Sequence, residues 1–242
     1  MRVFPPITPV SLSVSAPTDQ NSNPLALHSA ERVARMVSDL RLGLPVVLLG
    51  GAAATLVLPV ETLSADRFAA LCHGGELVMT ARRAESLRLR VPEGEVARIP
   101  VPAGARLDWV QALADPSRQM PASGAVPQAP QQAPTLLHRA AIRLVKAAEL
   151  LPAALVVTGP EVVQMALQSG LGVMDAHEVM DQILLARDPR PVSDARVPML
   201  AARNGRLHVF RAPDGGPEHY AVEVGSPDRS QPVLVRLHSA CF

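Results

Sequence analysis

From Leu42 to Val60 the chain carries no charged residue, and this stretch limits the fold more sharply than any other. Its length approaches that of a membrane-spanning helix. Its content argues against one: Gly43, Pro45, Gly50, Gly51 and Pro59 interrupt it, and Val46, Val47, Thr55 and Val57 are β-branched. That composition predicts two buried strands, 46–49 and 55–60, folded back on each other at Gly50-Gly51. Strands without a polar face belong to a sheet covered on both sides, so the flanking sequence must supply helices.

It does. Val33, Met36, Val37 and Leu40 recur at i, i+3, i+4 and i+7, which predicts a helix capped by Ser29 and ended by Gly43. Ser64 caps a second helix that runs to Cys72, Glu76 to Thr80 reads as a strand, and Ala81 to Leu87 and Leu107 to Ala114 read as helices. Thr135 caps a helix with Leu137, Ala141, Leu144, Val145 and Ala148 on one side. Leu155 to Val157 reads as a strand, and Glu161 to Gln168 and Asp175 to Ala186 as helices, the last with Val179, Met180, Ile183 and Leu184 on its apolar stripe. Alternating helices and strands give an α/β class.

Three segments depart from that pattern. Residues 1–24, rich in Ser, Pro, Thr and Asn, read as a disordered leader without the basic start and apolar run of a secretory signal. Residues 115–134 interleave Pro and Gln and read as a flexible loop inside a domain spanning 25–187. Beyond Arg187-Asp-Pro-Arg-Pro the helical period disappears. Leu207, Val209 and Arg211, then Tyr220, Val222 and Val224, then Val233, Val235 and Leu237 keep a period of two, broken at Asp214-Gly215-Gly216-Pro217 and Gly225-Ser226-Pro227-Asp228. The expectation for 188–242 is an antiparallel meander whose last strand is 233–238.

Charge and composition narrow the chemistry. With 23 Lys+Arg against 22 Asp+Glu and 2% aromatic residues, the chain lacks the basic field and stacking surface of a nucleic-acid binder. Two cysteines, Cys72 and Cys241, build no disulfide framework and suit a reducing, cytoplasmic setting. Alternation sets Arg236 and His238 on one side of the last predicted strand, next to Ser239 and Cys241. A guanidinium fork suits phosphate, and a His with a nearby thiolate suits zinc, although a zinc site wants three or four donors. Spacing alone equally describes a solvated strand end. His177 and Glu178 diverge on their helix, the cluster Arg82, Arg83, Arg88 and Arg90 reads as an exposed basic face, and Cys72 reads as a small buried apolar group.

Residues 196–241, above all Arg211-Ala-Pro-Asp-Gly-Gly-Pro-Glu-His-Tyr-Ala-Val-Glu-Val-Gly and Pro232-Val-Leu-Val-Arg-Leu-His-Ser-Ala-Cys, resemble the opening of GTP cyclohydrolase II, an enzyme of riboflavin synthesis. Val197-Pro198 resembles the Leu-Pro start of that domain. The resemblance implies that Arg236, Leu237, His238 and Ser239 contact GTP and that Cys241 is the first of three zinc ligands. In that family a cysteine-held zinc activates water against C8 of guanine, formate and pyrophosphate leave, and magnesium assists on the phosphates. The family's Arg-x-His-Ser-Glu-Cys becomes Arg-Leu-His-Ser-Ala-Cys here, with Ala240 in place of Glu, and Phe242 stands where the family continues to a Cys-x-Cys pair.

Arg35-Met-Val-Ser-Asp-Leu-Arg-Leu-Gly-Leu-Pro-Val-Val-Leu-Leu and Glu76-Leu-Val-Met-Thr-Ala-Arg-Arg-Ala-Glu-Ser-Leu resemble 3,4-dihydroxy-2-butanone-4-phosphate synthase, a domain that precedes the cyclohydrolase in many bacterial chains. That synthase holds magnesium on an acidic loop after its first strand; Gly50-Gly-Ala-Ala-Ala-Thr stands there in this chain, without a carboxylate. The resemblances together imply a synthase-like α/β domain followed by the first antiparallel strands of an incomplete cyclohydrolase domain. They imply no catalytic residue in place, neither zinc nor magnesium stably held, a homodimer, and no membrane or nucleic-acid partner. The competing reading is a noncatalytic dimerisation or regulatory module of synthase-like fold.

Overall fold

A computed structural model describes residues 26–72, 74–89, 94–119, 126–127, 133–185, 189–200, 204–212, 218–228 and 230–238. They fall into two compact units, Leu27–Arg187 and Asp188–Phe242. The predicted leader and most of the Pro/Gln segment lie outside the described residues.

In Leu27–Arg187 the charge-free stretch forms a hairpin of β1 (Val46–Gly50) and β2 (Ala53–Pro59), with Gly50 opposite Ala53 and Gly51 at φ +61°. The helix α1 (Ser29–Arg41) precedes it; α2 (Ala65–Leu71), β3 (Glu76–Thr80) and α3 (Ala81–Ser86) follow. Next come β4 (Val96–Pro100), α4 (Leu107–Ala114), α5 (Leu136–Ala147) and β5 (Ala153–Thr158). The unit ends with α6 (Val162–Ser169), β6 (Val173–Asp175) and α7 (Ala176–Leu185).

The six strands lie in the order β4-β3-β5-β2-β1-β6, antiparallel throughout except for β1 beside β6. Alternation sends Val46, Leu48, Val57, Val78 and Val156 to one face, against α1, α5 and α7. Val47, Leu56, Leu58, Leu77, Met79 and Leu155 go to the other, against α3, α4 and α6. Each fully buried Leu, Val or Met contributes about 1.5–3 kcal/mol. The two-sided burial explains why 42–60 tolerates no charge.

Several sequence expectations need correction. Ser29 is the first helical residue of α1 and not its cap; His28 precedes it as N-cap, and its N–H donates to Glu31 Oε2 at 2.8 Å. The Ser29 hydroxyl instead donates to Glu178 on α7. Two strands were not anticipated: β4, which runs into Pro100, and the three-residue β6. On α7, Val179 and Ile183 are buried but Leu184 is exposed. Among the described residues no helix is long and apolar enough to cross a membrane.

The unit Asp188–Phe242 holds a three-stranded sheet of β7 (Arg190–Val197), β8 (Gly205–Arg211) and β9 (Glu218–Val224), in that order and antiparallel. The strand expected at 233–238 does not form. Residues 232–238 have no regular structure and are exposed, and the third strand of the meander is β7, before β8. Tyr220, Val222 and Val224 pair with Val209, Leu207 and Gly205, giving one apolar face; His208 and Phe210 lie on the opposite face with Arg206.

Gly43 ends α1 at φ +74°, and a Cβ there would land on the Thr62 carbonyl oxygen. Gly51 has a similar φ of +61° with nothing within 4 Å of such a Cβ. Gly51→Ala is therefore expected to cost about 1 kcal/mol from the left-handed backbone alone. Gly43→Ala adds overlap with backbone and should cost more than about 2 kcal/mol. Urea unfolding midpoints of the two variants test the difference; equal losses would refute the overlap.

Candidate functional site

The most developed polar cluster lies where β3, β4 and α5 meet. On the edge pair of the sheet, Val78 faces Arg98 and Glu76 faces Pro100, so Glu76 and Arg98 are diagonal neighbours on one face. Arg98 grips Glu76 with both prongs, Nη2 to Oε1 at 2.7 Å and Nε to Oε2 at 3.1 Å. His138, in the first turn of α5 and 7% exposed, sets its Nε2 3.2 Å from Glu76 Oε2. Its Nδ1 lies 3.0 Å from the Thr135 backbone nitrogen and 2.7 Å from Thr135 Oγ1.

These contacts assign the imidazole proton. A backbone N–H can only donate, so Nδ1 is the bare nitrogen, and Nε2 carries the hydrogen that Glu76 accepts. The His138 hydrogen bond is the largest influence that lowers the Glu76 carboxyl to about 2; the Arg98 hydrogen bond and charge add to it, against partial burial. The cluster ties the edge strand to its neighbour and to the first turn of α5. Its members are engaged with one another, and Thr55 and Thr158, on β2 and β5, likewise share a hydrogen bond at 2.8 Å. The arrangement positions backbone and presents no activated nucleophile.

The turn after β1 is made of Gly51 and Ala52, which offer no carboxylate to a hard cation. Leu137 lies against Gly50, whose Cβ, if present, would be 3.0 Å from Leu137 Cδ2.

Arg236, Leu237 and His238 lie in the exposed irregular segment, where neither Arg236 nor His238 has a hydrogen-bond or ion-pair partner among the described residues. Ser239 and Cys241 lie outside the described residues. The described residues thus place three of the five in one exposed segment. Among the described residues no group of three His, Cys, Asp or Glu could hold a metal ion. Cys72 is 5% exposed, and burial pushes its thiol up to about 12, so it is an inert apolar filler. His177 is exposed. Arg83 is not part of a free basic face: it donates to the Leu113 and Ala112 carbonyls at 2.8 and 3.2 Å, closing the end of α4. Arg82 and Arg88 are exposed, and Arg90 lies outside the described residues.

Sequence reasoning missed the Glu76–Arg98–His138 cluster because β4 was not recognised. One signal was available: Thr135 followed three residues later by His138 has the spacing of a capping box. Since the folded carboxyl of Glu76 lies below its ordinary 4.5, its contribution is complete above about pH 4.5 and lost as pH falls toward 2. Glu76→Gln should destabilise the protein at pH 7 by on the order of 3 kcal/mol, leaving Arg98 without its anion. The gap from wild type should narrow as pH falls below about 4.5. Urea titrations at several pH values check this; a gap independent of pH would refute it.

No protein-family model matches the chain. It is 36% identical to a GTP cyclohydrolase-2 from Azospirillum brasilense, over 69% of this chain and 45% of that protein. It is 24% identical to a GTP cyclohydrolase-2 from Xylella fastidiosa (strain Temecula1), over 95% of this chain and 57% of that protein. A crystal structure of a two-domain 3,4-dihydroxy-2-butanone 4-phosphate synthase from A. baumannii superposes with a TM-score of 0.50 and 18% identity, covering 79% of this chain and 69% of that one. That likeness is one of fold. The chain is thus a homologue of GTP cyclohydrolase-2 proteins, and it spans about half the length of the two relatives it matches.

Proposed function

We propose that the chain serves riboflavin biosynthesis as a GTP cyclohydrolase II-type protein. In this reading Leu27–Arg187 is a synthase-fold scaffold without synthase chemistry, and 188–242 opens a GTP-handling domain. The 36% identity across 69% of the chain carries the reading. The carboxylate-free turn at Gly51-Ala52 supports the scaffold assignment, because a phosphate-bound magnesium needs hard oxygen donors there. The reading brings with it GTP as ligand, a homodimer and a cytoplasmic setting, with Arg236, Leu237, His238 and Ser239 as substrate contacts and Cys241 as metal donor.

Zinc is the metal of the family, and the donors found in this chain do not fit it. A cage of three thiolates exceeds a sequence with two cysteines, one of them the buried Cys72. In this reading residues 1–242 by themselves hold neither zinc nor magnesium stably. The purified chain is expected to contain substoichiometric zinc and to release no formate from GTP. Metal analysis by mass spectrometry and a formate assay test this; one zinc per chain with sustained turnover would overturn it.

A further inference from the structure

The two outer edges of the β7–β8–β9 sheet are built differently. On β7 the register slips between Pro191 and Ser193, Pro191 has no N–H to offer, and the charged Asp194 and Arg196 follow. A proline, a bulge and charged side chains keep a strand edge from pairing with another chain. The seven residues of β9, Glu218–Val224, contain no proline and pair with β8 in one unbroken register. No described strand lies on the outer side of β9.

The ladder fixes which β9 groups face outward. The Gly225 N–H donates to the Asn204 carbonyl at 2.9 Å, in the register that sets Gly205 opposite Val224. Asn204–Gly225 is thus a hydrogen-bonded pair, and such pairs alternate along antiparallel strands. Arg206–Glu223, His208–Ala221 and Phe210–His219 are therefore the pairs that bond across to β8. The N–H and C=O groups of Glu218, Tyr220, Val222 and Val224 point away from β8, toward the open edge. The side chains of Tyr220, Val222 and Val224 share the apolar face and are 57%, 58% and 56% exposed. An unpaired edge bordered by exposed aromatic and β-branched side chains is a template for another strand.

The strand complements a second copy of itself. Antiparallel pairing about a two-fold axis at Ala221, the middle residue of β9, sets Tyr220 opposite the partner's Val222 and Glu218 opposite the partner's Val224. It also sets His219 opposite the partner's Glu223. Every outward-facing residue then exchanges hydrogen bonds with its partner. Aromatic–β-branched and His–Glu pairs are favourable across strands, and no like charges meet. Glu218 keeps its own Arg211, whose Nε donates to Oε1 at 3.1 Å. Moving the axis to Tyr220 or Val222 leaves one end of each strand unpaired and loses the His–Glu pair. Pairing of β9 with β7 of a next copy would propagate without closing, and the Pro191 edge blocks it.

We propose that the outer edge of β9 is a self-pairing surface that joins two copies of this chain into one continuous antiparallel sheet. This names the strand that joins the copies, and it rests on the sheet alone, independently of the GTP reading. The test combines disulfide trapping with sedimentation equilibrium, on the full chain carrying Cys241→Ser so that the buried Cys72 is the remaining thiol. Ala221 and the partner's Ala221 form a non-hydrogen-bonded pair, with Cα atoms about 4.5 Å apart and within disulfide range. Ala221→Cys is expected to give a covalent dimer on mild oxidation. His219→Cys, four residues of strand or roughly 13–14 Å from its mate, should give none. Val222→Lys should raise the dimer dissociation constant at least tenfold while keeping the unfolding midpoint at low concentration. Val192→Lys, at an exposed position on β7, should change neither. A chain monomeric at every concentration, a dimer indifferent to Val222→Lys, or equal trapping through Ala221→Cys and His219→Cys would overturn the proposal. So would a link between Ala221→Cys and Arg236→Cys in a chain bearing both, which would assign the edge to the segment 232–238. Trapping at Ala221 in a chain that binds no GTP would keep this surface and defeat the GTP reading. A GTP-binding chain without trapping would do the reverse.

Discussion

Burial on both faces of one mixed sheet governs the unit Leu27–Arg187. A strand covered on two sides can place a charge only at its ends or at a sheet edge, where another charge or water can meet it. The central strands β1, β2 and β5 accordingly carry none, and the ionisable side chains of the sheet collect at its margins. Glu76 and Arg98 sit on the edge pair, at the end of the sheet where the first turn of α5 passes over it. A carboxylate so placed would be costly alone. Gripped by a guanidinium fork and an imidazole N–H, it becomes a tie that fixes the edge strand.

The same constraint explains which elements could be read in advance. The hairpin at 42–60 has to be strand on both sides of its turn, because its glycines and prolines exclude a helix and its lack of charge excludes a solvated loop. Ser64 and Thr135 marked helix starts because each begins an apolar period immediately downstream. Ser29 was one residue late because His28, an unusual cap, leaves Ser29 free to reach α7. The strand β6 is three residues long and exists through its parallel pairing with β1, a partner far away in sequence. Such a strand has no local signature. The strand β4 was obscured by Pro100, tolerated there because β4 is an edge strand with only β3 beside it.

The segment 232–238 makes the opposite point. Val233, Val235 and Leu237 alternate as cleanly as any strand in the chain, yet they are exposed and unpaired. Alternation records which side chains would share a face if a strand formed; it does not supply the neighbouring edge that makes one. Arg236 and His238 were therefore legible as a pair of residue types at a given spacing, and their placement was not. His138 was the reverse case, unremarkable in sequence and decisive in structure, because its partners Glu76 and Arg98 come from strands it does not adjoin along the chain.

The turn after β1 carries no carboxylate. An acidic loop that holds a hard cation must crowd carboxylates, and crowded carboxylates repel one another unless the metal is present. Gly51 and Ala52 avoid that repulsion and form a two-residue turn, the length that antiparallel hairpins favour. The hairpin is held by its own register and by the packing of Leu137 against Gly50.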